Sequence, residues 1–264
     1  MALMTIFTCL KAVTPDEEGG HIACSQLNAL QSWKVMEPNV EIIIMGNSPG
    51  SKGLARELGF NHIPYAKTAG EGSKGGIGGL ELVSEMFYVA WIYGKTEMYC
   101  YCNADIILPP TFCDVVASID CENYLGVGHR WNLPQQEVHP LDFETGWWSN
   151  LVRQARQTGA QHAPSGMDYF VHKRRFVEDG AIPNLFIGRW YWDNVMLKVA
   201  RDRRIPIINM TSGVFAIHQN HPSSYTGFDP ESLANQAKLE GTRPLSIQDA
   251  DFTLAPAKFE SNSW

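Results

Sequence analysis

The chain has 264 residues, of which 44% are hydrophobic and 19% are charged, so it is long and apolar enough to bury the core of a folded domain. Its 21 basic and 28 acidic side chains give a net charge of −7, and no long basic run is present, which argues against binding to nucleic acids. The apolar stretches are too short to span a bilayer, and no basic segment precedes an apolar core at the N-terminus. We therefore predict a soluble, cytoplasmic protein without a transmembrane segment.

The first half of the chain alternates strand and helix patterns. The predicted elements, in chain order, are a strand at Met4–Cys9, a helix at His21–Met36, a strand at Val40–Met45, helices at Ser51–Leu58 and Leu80–Tyr93, and a strand at Met98–Cys102. Val40–Met45 is a continuous aliphatic run, which is typical of a strand buried on both faces. The order of the elements predicts an α/β fold with a mixed, mostly parallel sheet flanked by helices.

The second half of the chain is less regular and richer in aromatic residues. We predict helices and strands around a long loop at Trp131–Trp148: helices at Pro110–Ile119 and Trp192–Arg203, and strands at Tyr124–Gly128, Met167–His172, Pro206–Asn209 and Val214–His218. The sequence turns polar after Pro222, and we expect a loosely packed tail from about Leu239 onward.

A glycine-rich segment, Gly70–Gly79, contains a GxGxxG motif. A dinucleotide-binding fingerprint needs a strand directly before such a motif, and His62–Lys67, which contains Pro64, is a poor central strand. Six glycines in ten positions leave little side-chain surface to pack. We interpret this segment as a flexible loop.

The polar triplet Asn103-Ala104-Asp105 directly follows the apolar strand predicted at Met98–Cys102. Open α/β sheets bind ligands at the carboxyl ends of their strands, and a carboxylate there can hold a divalent cation that neutralises a substrate diphosphate. The alternative is that Asn103 and Asp105 only cap the turn before the next prolines.

Other polar residues in apolar or aromatic surroundings each have two interpretations. Asp193 lies at the start of a predicted helix, where it is either a catalytic base or an N-cap. His218 and His221 follow a predicted strand and are either metal ligands or core histidines. Asp168 begins an apolar strand, where it either binds hydroxyl groups or forms a turn.

Taken in order, several short segments resemble those of GT-A-type nucleotide-sugar glycosyltransferases, in particular enzymes related to glycosyltransferase family two. They span about residues 4 to 225 and comprise Phe7–Lys11, Asn28–Trp33, Glu41–Gly46, Tyr101–Leu108, Val127–Arg130, Met167–Val171, Ile187–Arg189, Trp192–Asn194 and Ile217–His221. The resemblance implies a single GT-A-like, Rossmann-related domain over residues 1–264. Its nucleotide-sugar-binding half would cover about 4–105, its acceptor and catalytic half about 106–238, and its C-terminal tail about 239–264.

In that family an Asp-x-Asp motif holds Mn²⁺ or Mg²⁺ on the donor diphosphate, and Asn103-Ala104-Asp105 is similar to it, with Asn103 in place of the first acid. The resemblance implies that Asp105 and His218 bind the metal and that Asp193 is the general base of an inverting transfer. It also places Gly70–Gly79 at the border of the donor pocket. The implied donor contacts are Thr8, Lys11, Gly46, Asn47, Gly79, Asn103, Ala104 and Arg130. The implied acceptor or sugar contacts are Asp168, Trp148, Trp192 and His221.

The implied activity is transfer of a sugar from a nucleoside-diphosphate-sugar donor to a hydroxyl group of a glycan or a related acceptor. One alternative is a non-catalytic sugar or nucleotide-sugar binding protein, which Asn103 in the metal motif favours. A second is a sugar-nucleotidyltransferase. That enzyme class needs a glycine-rich, basic phosphate loop directly after the first strand, and Leu10–Glu18 contains none.

Overall fold

The computed structural model describes residues 2–13, 17–64, 81–178, 180–221 and 228–255. Its strands are β1 (Met4–Cys9), β2 (Val40–Met45), β3 (Asn61–Ile63), β4 (Met98–Cys102), β5 (Ile106–Ile107), β6 (Leu125–Val127), β7 (Arg130–Leu133), β8 (Ala160–Gln161), β9 (Tyr169–Lys173), β10 (Ile207–Asn209), β11 (Ala216–Gln219) and β12 (Phe252–Thr253). Its α-helices are α1 (Glu17–Lys34), α2 (Ser51–Leu58), α3 (Val83–Tyr93), α4 (Phe112–Ala117), α5 (Trp147–Thr158), α6 (Trp192–Asp202) and α7 (Pro230–Ala237). None of the helices in this described part is long and apolar enough to cross a membrane.

The central sheet has eight strands in the order β12-β10-β6-β9-β4-β1-β2-β3. Its strands pair in parallel, except that β9 runs antiparallel to both of its neighbours, β4 and β6. A smaller sheet has the order β5-β11-β7-β8. The predicted α/β fold with a mixed, mostly parallel sheet is therefore confirmed, and the carboxyl ends of β1, β2 and β4 lie side by side.

Side chains of the central strands alternate between two cores, one on each face of the sheet. In β2, Ile42 and Ile44 belong to the core that also contains the buried residues of α1, α2 and α4. Ile43 and Met45 belong to the opposite core, with the buried residues of α3 and α6. Because successive strand residues point to opposite faces, a strand covered on both faces must be apolar at nearly every position.

The elements with continuous or strongly periodic apolar patterns match the predicted bounds. Strands β1, β2 and β4 and helix α2 begin and end at the predicted residues. Helix α2 ends at Gly59, whose φ of 80° is the left-handed conformation that glycine adopts at low cost.

Helices α5 and α7 were not predicted from the sequence. Helix α5 begins inside the predicted loop at Trp131–Trp148, and only Leu151 and Ala155 of its residues are buried. Helix α7 buries the polar residues Ser232 and Asn235, so it lacks an apolar periodicity. Its start does carry a recognisable signal, because Asp229 caps the helix directly before a proline.

The expectation of a loosely packed tail from about Leu239 is wrong for residues 239–255. Leu239 and Ile247 are 3% and 1% exposed. Strand β12 pairs with β10 and extends the central sheet. Two apolar side chains thus anchor a segment that is polar on average. The predicted glycine-rich loop, Gly70–Gly79, lies outside the described residues, and the division of the domain into two halves stays a prediction.

Helix α1 has a buried polar side that holds distant parts of the chain. Asn28 Nδ2 donates hydrogen bonds to Gln219 Oε1 at 2.7 Å and to the carbonyl of His139 at 2.8 Å. Asn28 Oδ1 accepts from the backbone N–H of Leu141 at 2.9 Å. Gln219, on β11, donates to the carbonyl of Ser25 at 2.9 Å. Asn28 and Gln219 are each buried, so these bonds satisfy groups that water does not reach.

We predict that Asn28→Ala lowers the free energy of unfolding by about 2–4 kcal/mol, because it leaves several buried groups without a partner at roughly 1–3 kcal/mol each. Urea unfolding followed by circular dichroism measures the change. Asn61→Ala is the matched control, since Asn61 is exposed and bonds to Glu41 Oε1 at 3.1 Å. The control should stay within about 0.5 kcal/mol of the wild type. Equal losses in the two variants would contradict the structural role of Asn28.

Candidate functional site

A cleft of about 1490 Å³ opens at the carboxyl ends of β1, β2 and β4. The chain segments that follow these strands line one part of it. Other parts of its wall come from α1, β7, the residues just before β9, the start of α6 and the end of β11. The cleft brings together twelve of the residues singled out in the sequence: Lys11, Gly46, Asn47, Asn103, Ala104, Asp105, Arg130, Asp168, Trp192, Asp193, His218 and His221.

Asp105, His218 and His221 form a compact cluster in this cleft. His221 Nε2 lies 3.0 Å from Asp105 Oδ2, and His218 Nε2 lies 3.7 Å from the same oxygen. One ligand atom from each residue fits within 4.8 Å of the others, which is the spacing of groups that can hold one metal ion. His221, which the resemblance assigns to the acceptor, therefore lies closer to Asp105 than His218 does.

Strand pairing explains why residues so far apart in sequence meet. Strands β5 and β11 pair antiparallel, and His218 lies opposite Ile106, the residue after Asp105. His218 Nδ1 lies 3.0 Å from Asn220 Oδ1, a contact that orients the ring so that Nε2 faces Asp105.

The charge environment keeps the Asp105 carboxyl ionised. Burial alone would raise its pKa, but His218 and His221 hold the pKa of Asp105 well below its ordinary value, with a further contribution from Lys11. Asp105 Oδ1 is buried and accepts no hydrogen bond from the described residues. The carboxylate thus retains an oxygen for a ligand.

Lys11 brings a positive charge to the same end of the cleft. Its Nζ lies 3.1 Å from His221 Nε2. Its backbone is held by Gln26 of α1, which accepts from the Lys11 N–H at 2.8 Å and donates to the Lys11 carbonyl at 3.3 Å. Because the Lys11 side chain is exposed, it can meet an anionic ligand in the cleft.

A second polar group surrounds Asn103. Asn103 Nδ2 donates to Asp168 Oδ1 at 2.8 Å, and Asn103 Oδ1 accepts from the hydroxyl of Tyr101 at 2.6 Å. Arg130 Nη1 lies 2.5 Å from the same oxygen of Asp168. Burial alone would lower the pKa of Arg130, but the charge and the hydrogen bond of Asp168 raise it, so the guanidinium stays charged.

Asp193 is the second residue of α6 and does not cap it. The N-cap is Tyr191, with a φ of 74°, so the structure contradicts the N-cap interpretation of Asp193. Asp193 Oδ2 accepts from the backbone N–H of Met167 at 3.2 Å, and its Oδ1 accepts from the N–H of Asn194 at 2.9 Å. Burial, together with the nearby Asp168, raises the pKa of Asp193 to about 7, although these hydrogen bonds act in the opposite direction. A carboxyl group with this pKa can exchange a proton at neutral pH.

Two predicted site residues that the structure describes, Thr8 and Trp148, do not line the cleft. Thr8 is fully buried in β1, where its hydroxyl donates to the carbonyl of Cys9 at 3.3 Å. Trp148 lies on α5, next to Trp147 and Phe215, in the small core beneath β7 and β11. Its partly buried ring packs against that core, and it does not line the cleft. Gly79 lies outside the described residues.

Sequence reasoning did not single out Glu81, Asn132 and His162, which also line the cleft. Burial raises the pKa of Glu81. Glu81 Oε1 lies close to Gly46, and a Cβ atom added at position 46 would be 2.5 Å from this oxygen. His162 Nδ1 lies 3.1 Å from Asn132 Nδ2. Arg130 extends the same group, with Nε donating to Asn132 Oδ1 at 3.0 Å. Each of these residues stands alone in the sequence, without a motif that would identify it.

No protein-family model and no curated protein sequence matches the chain. Solved structures do match. Glucosyl-3-phosphoglycerate synthase from Mycobacterium tuberculosis, in complex with Mn²⁺, uridine diphosphate and phosphoglyceric acid, superposes with a TM-score of 0.52 at 14% identity, over 90% of this chain and 77% of that one. The same enzyme with Mn²⁺, uridine diphosphate and glucosyl-3-phosphoglycerate gives 0.51 at 13% identity, over 90% and 78%. A mycobacterial protein gives 0.52 at 14% identity, over 90% and 74%. The predicted GT-A-like fold is thereby confirmed.

Proposed function

We propose that the protein is a glycosyltransferase that moves a sugar from a nucleoside-diphosphate sugar to a hydroxyl group of a glycan or a related acceptor. The observation that carries this proposal is the cluster of Asp105, His218 and His221 at the carboxyl end of the sheet, in the same cleft as a carboxyl group with a pKa near 7. The similar enzyme from M. tuberculosis binds Mn²⁺ and uridine diphosphate, and it shares the fold. The location agrees with the rule that open α/β sheets bind ligands at this edge.

The cluster fits a divalent cation by its chemistry. It offers one carboxylate and two imidazoles, and Asp105 has a buried oxygen that accepts no hydrogen bond from the described residues. Imidazole ligands favour transition-metal ions such as Mn²⁺ over Mg²⁺. When bound, the cation would neutralise charge on the donor diphosphate and stabilise the departing nucleoside diphosphate. Three protein ligands leave coordination positions for phosphate oxygens.

Besides the metal site, the reaction needs a positive charge near the diphosphate and a base for the acceptor hydroxyl, and Lys11 and Asp193 supply these two groups. The ammonium group of Lys11, 3.1 Å from His221, provides a further positive charge for a diphosphate beside the metal cluster. Asp193 accepts the proton of the acceptor hydroxyl as that oxygen attacks the anomeric carbon. Direct attack opposite the leaving group inverts the anomeric configuration, which is the stereochemistry that we propose. The buried surroundings of Asp193 make it a stronger base than an exposed carboxylate.

A panel of nucleotide sugars, incubated with the protein and Mn²⁺, tests the function. Release of nucleoside diphosphate and formation of a glycosylated product support the proposal. Binding of a nucleotide sugar without turnover, over a panel of hydroxyl acceptors, would favour a non-catalytic binding protein instead. Proton NMR of the product's anomeric signal distinguishes inversion from retention.

We predict that Asp105→Asn weakens Mn²⁺ binding at least about tenfold, because the amide removes the only charged ligand of the cluster. Isothermal titration calorimetry with Mn²⁺ measures the affinity, and the wild type should bind Mn²⁺ more tightly than Mg²⁺. Asp114→Asn, at an exposed carboxylate of α4, is the matched control and should bind Mn²⁺ like the wild type. Wild-type affinity in Asp105→Asn would rule out this metal site.

We predict that kcat/KM falls about tenfold per pH unit below about 7 and is level above it, because the raised pKa of Asp193 makes the carboxyl protonated and inactive on the acid side. Asp193→Asn should lower kcat by about 10²–10⁴-fold and abolish this acidic limb. Donor affinity should change little. The melting temperature should fall only modestly, because the amide oxygen can still accept one of the two backbone hydrogen bonds, whereas its NH₂ group cannot accept the other.

The control for this variant is Asp202→Asn at the other end of α6. Asp202 is exposed and pairs with Lys198 at 2.5 Å, an interaction of small energetic value. Asp202→Asn should leave the pH profile of kcat/KM unchanged. Near-normal transfer by Asp193→Asn would instead assign Asp193 a structural role.

A further inference from the structure

Asp168 has an oxygen that the described residues leave without a hydrogen-bond donor. The residue is 5% exposed and lines the cleft. Its Oδ1 accepts from Asn103 Nδ2 at 2.8 Å and contacts Arg130 Nη1 at 2.5 Å. Its Oδ2 is buried and accepts no hydrogen bond from that part of the chain. A buried acceptor without a donor is rare and costs free energy, which points to a ligand that supplies the donor.

Asp168 lies between the metal cluster and Asp193. On one side, the N–H of Asn103, two residues before Asp105, donates to the carbonyl of Asp168 at 2.8 Å. On the other side, the N–H of Met167, the residue before Asp168, donates to Asp193 Oδ2 at 3.2 Å. In a sugar transfer, the sugar is joined to the diphosphate on one side and meets the activated hydroxyl on the other. The transferred sugar must therefore lie near Asp168.

We propose that Asp168 Oδ2 accepts a hydrogen bond from a hydroxyl group of the transferred sugar. This inference rests on the proposed function and specifies which part of the donor the residue binds. Arg130 and Asn103 fix the carboxylate in place through Oδ1, so Oδ2 is presented in one orientation. Asp168 binds and orients the sugar, whereas Asp193 takes the proton.

The same contacts explain why an amide stands at position 103. Asn103 donates to Asp168 through Nδ2 and accepts from the Tyr101 hydroxyl through Oδ1, so both ends of its side chain are used. An aspartate at 103 would place two carboxylate oxygens about 2.8 Å apart and lose the donor. Asn103 is thus matched to Asp168, and its presence in the motif does not argue against a working donor site.

The test uses Asp168→Asn and the exchange variant Asn103→Asp/Asp168→Asn. The exchange keeps one carboxylate and one amide in contact, so it preserves a hydrogen bond between positions 103 and 168 and the net charge of the pair while removing the carboxylate from position 168. The amide NH₂ that donates to position 103 cannot also accept from Arg130 Nη1. Calorimetry with Mn²⁺ compares each free diphosphate with its sugar conjugate, using UDP with UDP-glucose and UDP-galactose, and GDP with GDP-mannose. The conjugate that the wild type binds is used for the variants.

Asp168→Asn should bind the free nucleoside diphosphate like the wild type and the sugar conjugate about 10- to 100-fold more weakly, which is the value of a hydrogen bond to a charged group. The exchange variant should recover part of the melting temperature lost in Asp168→Asn but not the affinity for the conjugate. Recovery of both in the exchange variant would reduce Asp168 to a structural role. Equal losses for the diphosphate and the conjugate, or no loss, would also overturn the inference.

These outcomes are separable from failure of the proposed function. If the wild type binds no diphosphate and no conjugate in the presence of Mn²⁺, the donor site itself is absent and both proposals fail. If the wild type binds them and Asp168→Asn does so equally well, only the role of Asp168 is wrong.

Discussion

The buried hydrogen bond between Asn28 of α1 and Gln219 of β11 holds the candidate site together, because Gln219 directly follows His218. The same helix also fixes the other side of the metal cluster. Trp33 Nε1 donates at 3.0 Å to the carbonyl of Ile106, the residue that pairs with His218 across β5 and β11. Helix α1 therefore sets the position of both strands that carry the cluster. Its polar residues are buried at little cost because each has a partner.

The antiparallel strand β9 is the second constraint on the cleft. It lies between β4 and β6 and runs antiparallel to both. Its first residues therefore lie beside the carboxyl end of β4. Cys102, the last residue of β4, pairs with Tyr169, the first residue of β9. Asp168 and Asn103 are the next residues along each strand, and this register brings them into contact. A fully parallel sheet would place the start of this strand at the opposite edge.

The parts of the fold and site that could be predicted are those marked by a local pattern of apolar and polar residues. The parts that could not be predicted depend on which strands pair and in which register. Strand β4 and the triplet ending at Asp105 are predictable because a continuous apolar run ends in polar residues at one defined point. The contact between Asp105 and His218 depends on the register of β5 against β11, which cannot be deduced from the local pattern of a single sequence. His221 lies nearer to Asp105 than His218 does, at 3.0 Å against 3.7 Å, although it lies outside strand β11. Trp148 packs against a small core away from the lining of the cleft, which shows that an aromatic residue predicted to contact a sugar can equally well pack against a core.

Asp105 and Asp193 lie in the same cleft, but their surroundings shift the pKa values of the two carboxyl groups in opposite directions. Burial raises the pKa of both, but Asp105 faces two imidazoles that lower it well below its ordinary value. Among the described residues, Asp193 has backbone N–H donors and the neighbouring Asp168 but no cationic partner comparable to those imidazoles, so its pKa is near 7. Asp105 is thus suited to remain an anion that binds a cation, and Asp193 to take up a proton. In the proposed transfer, this division would assign charge stabilisation to Asp105 and proton transfer to Asp193.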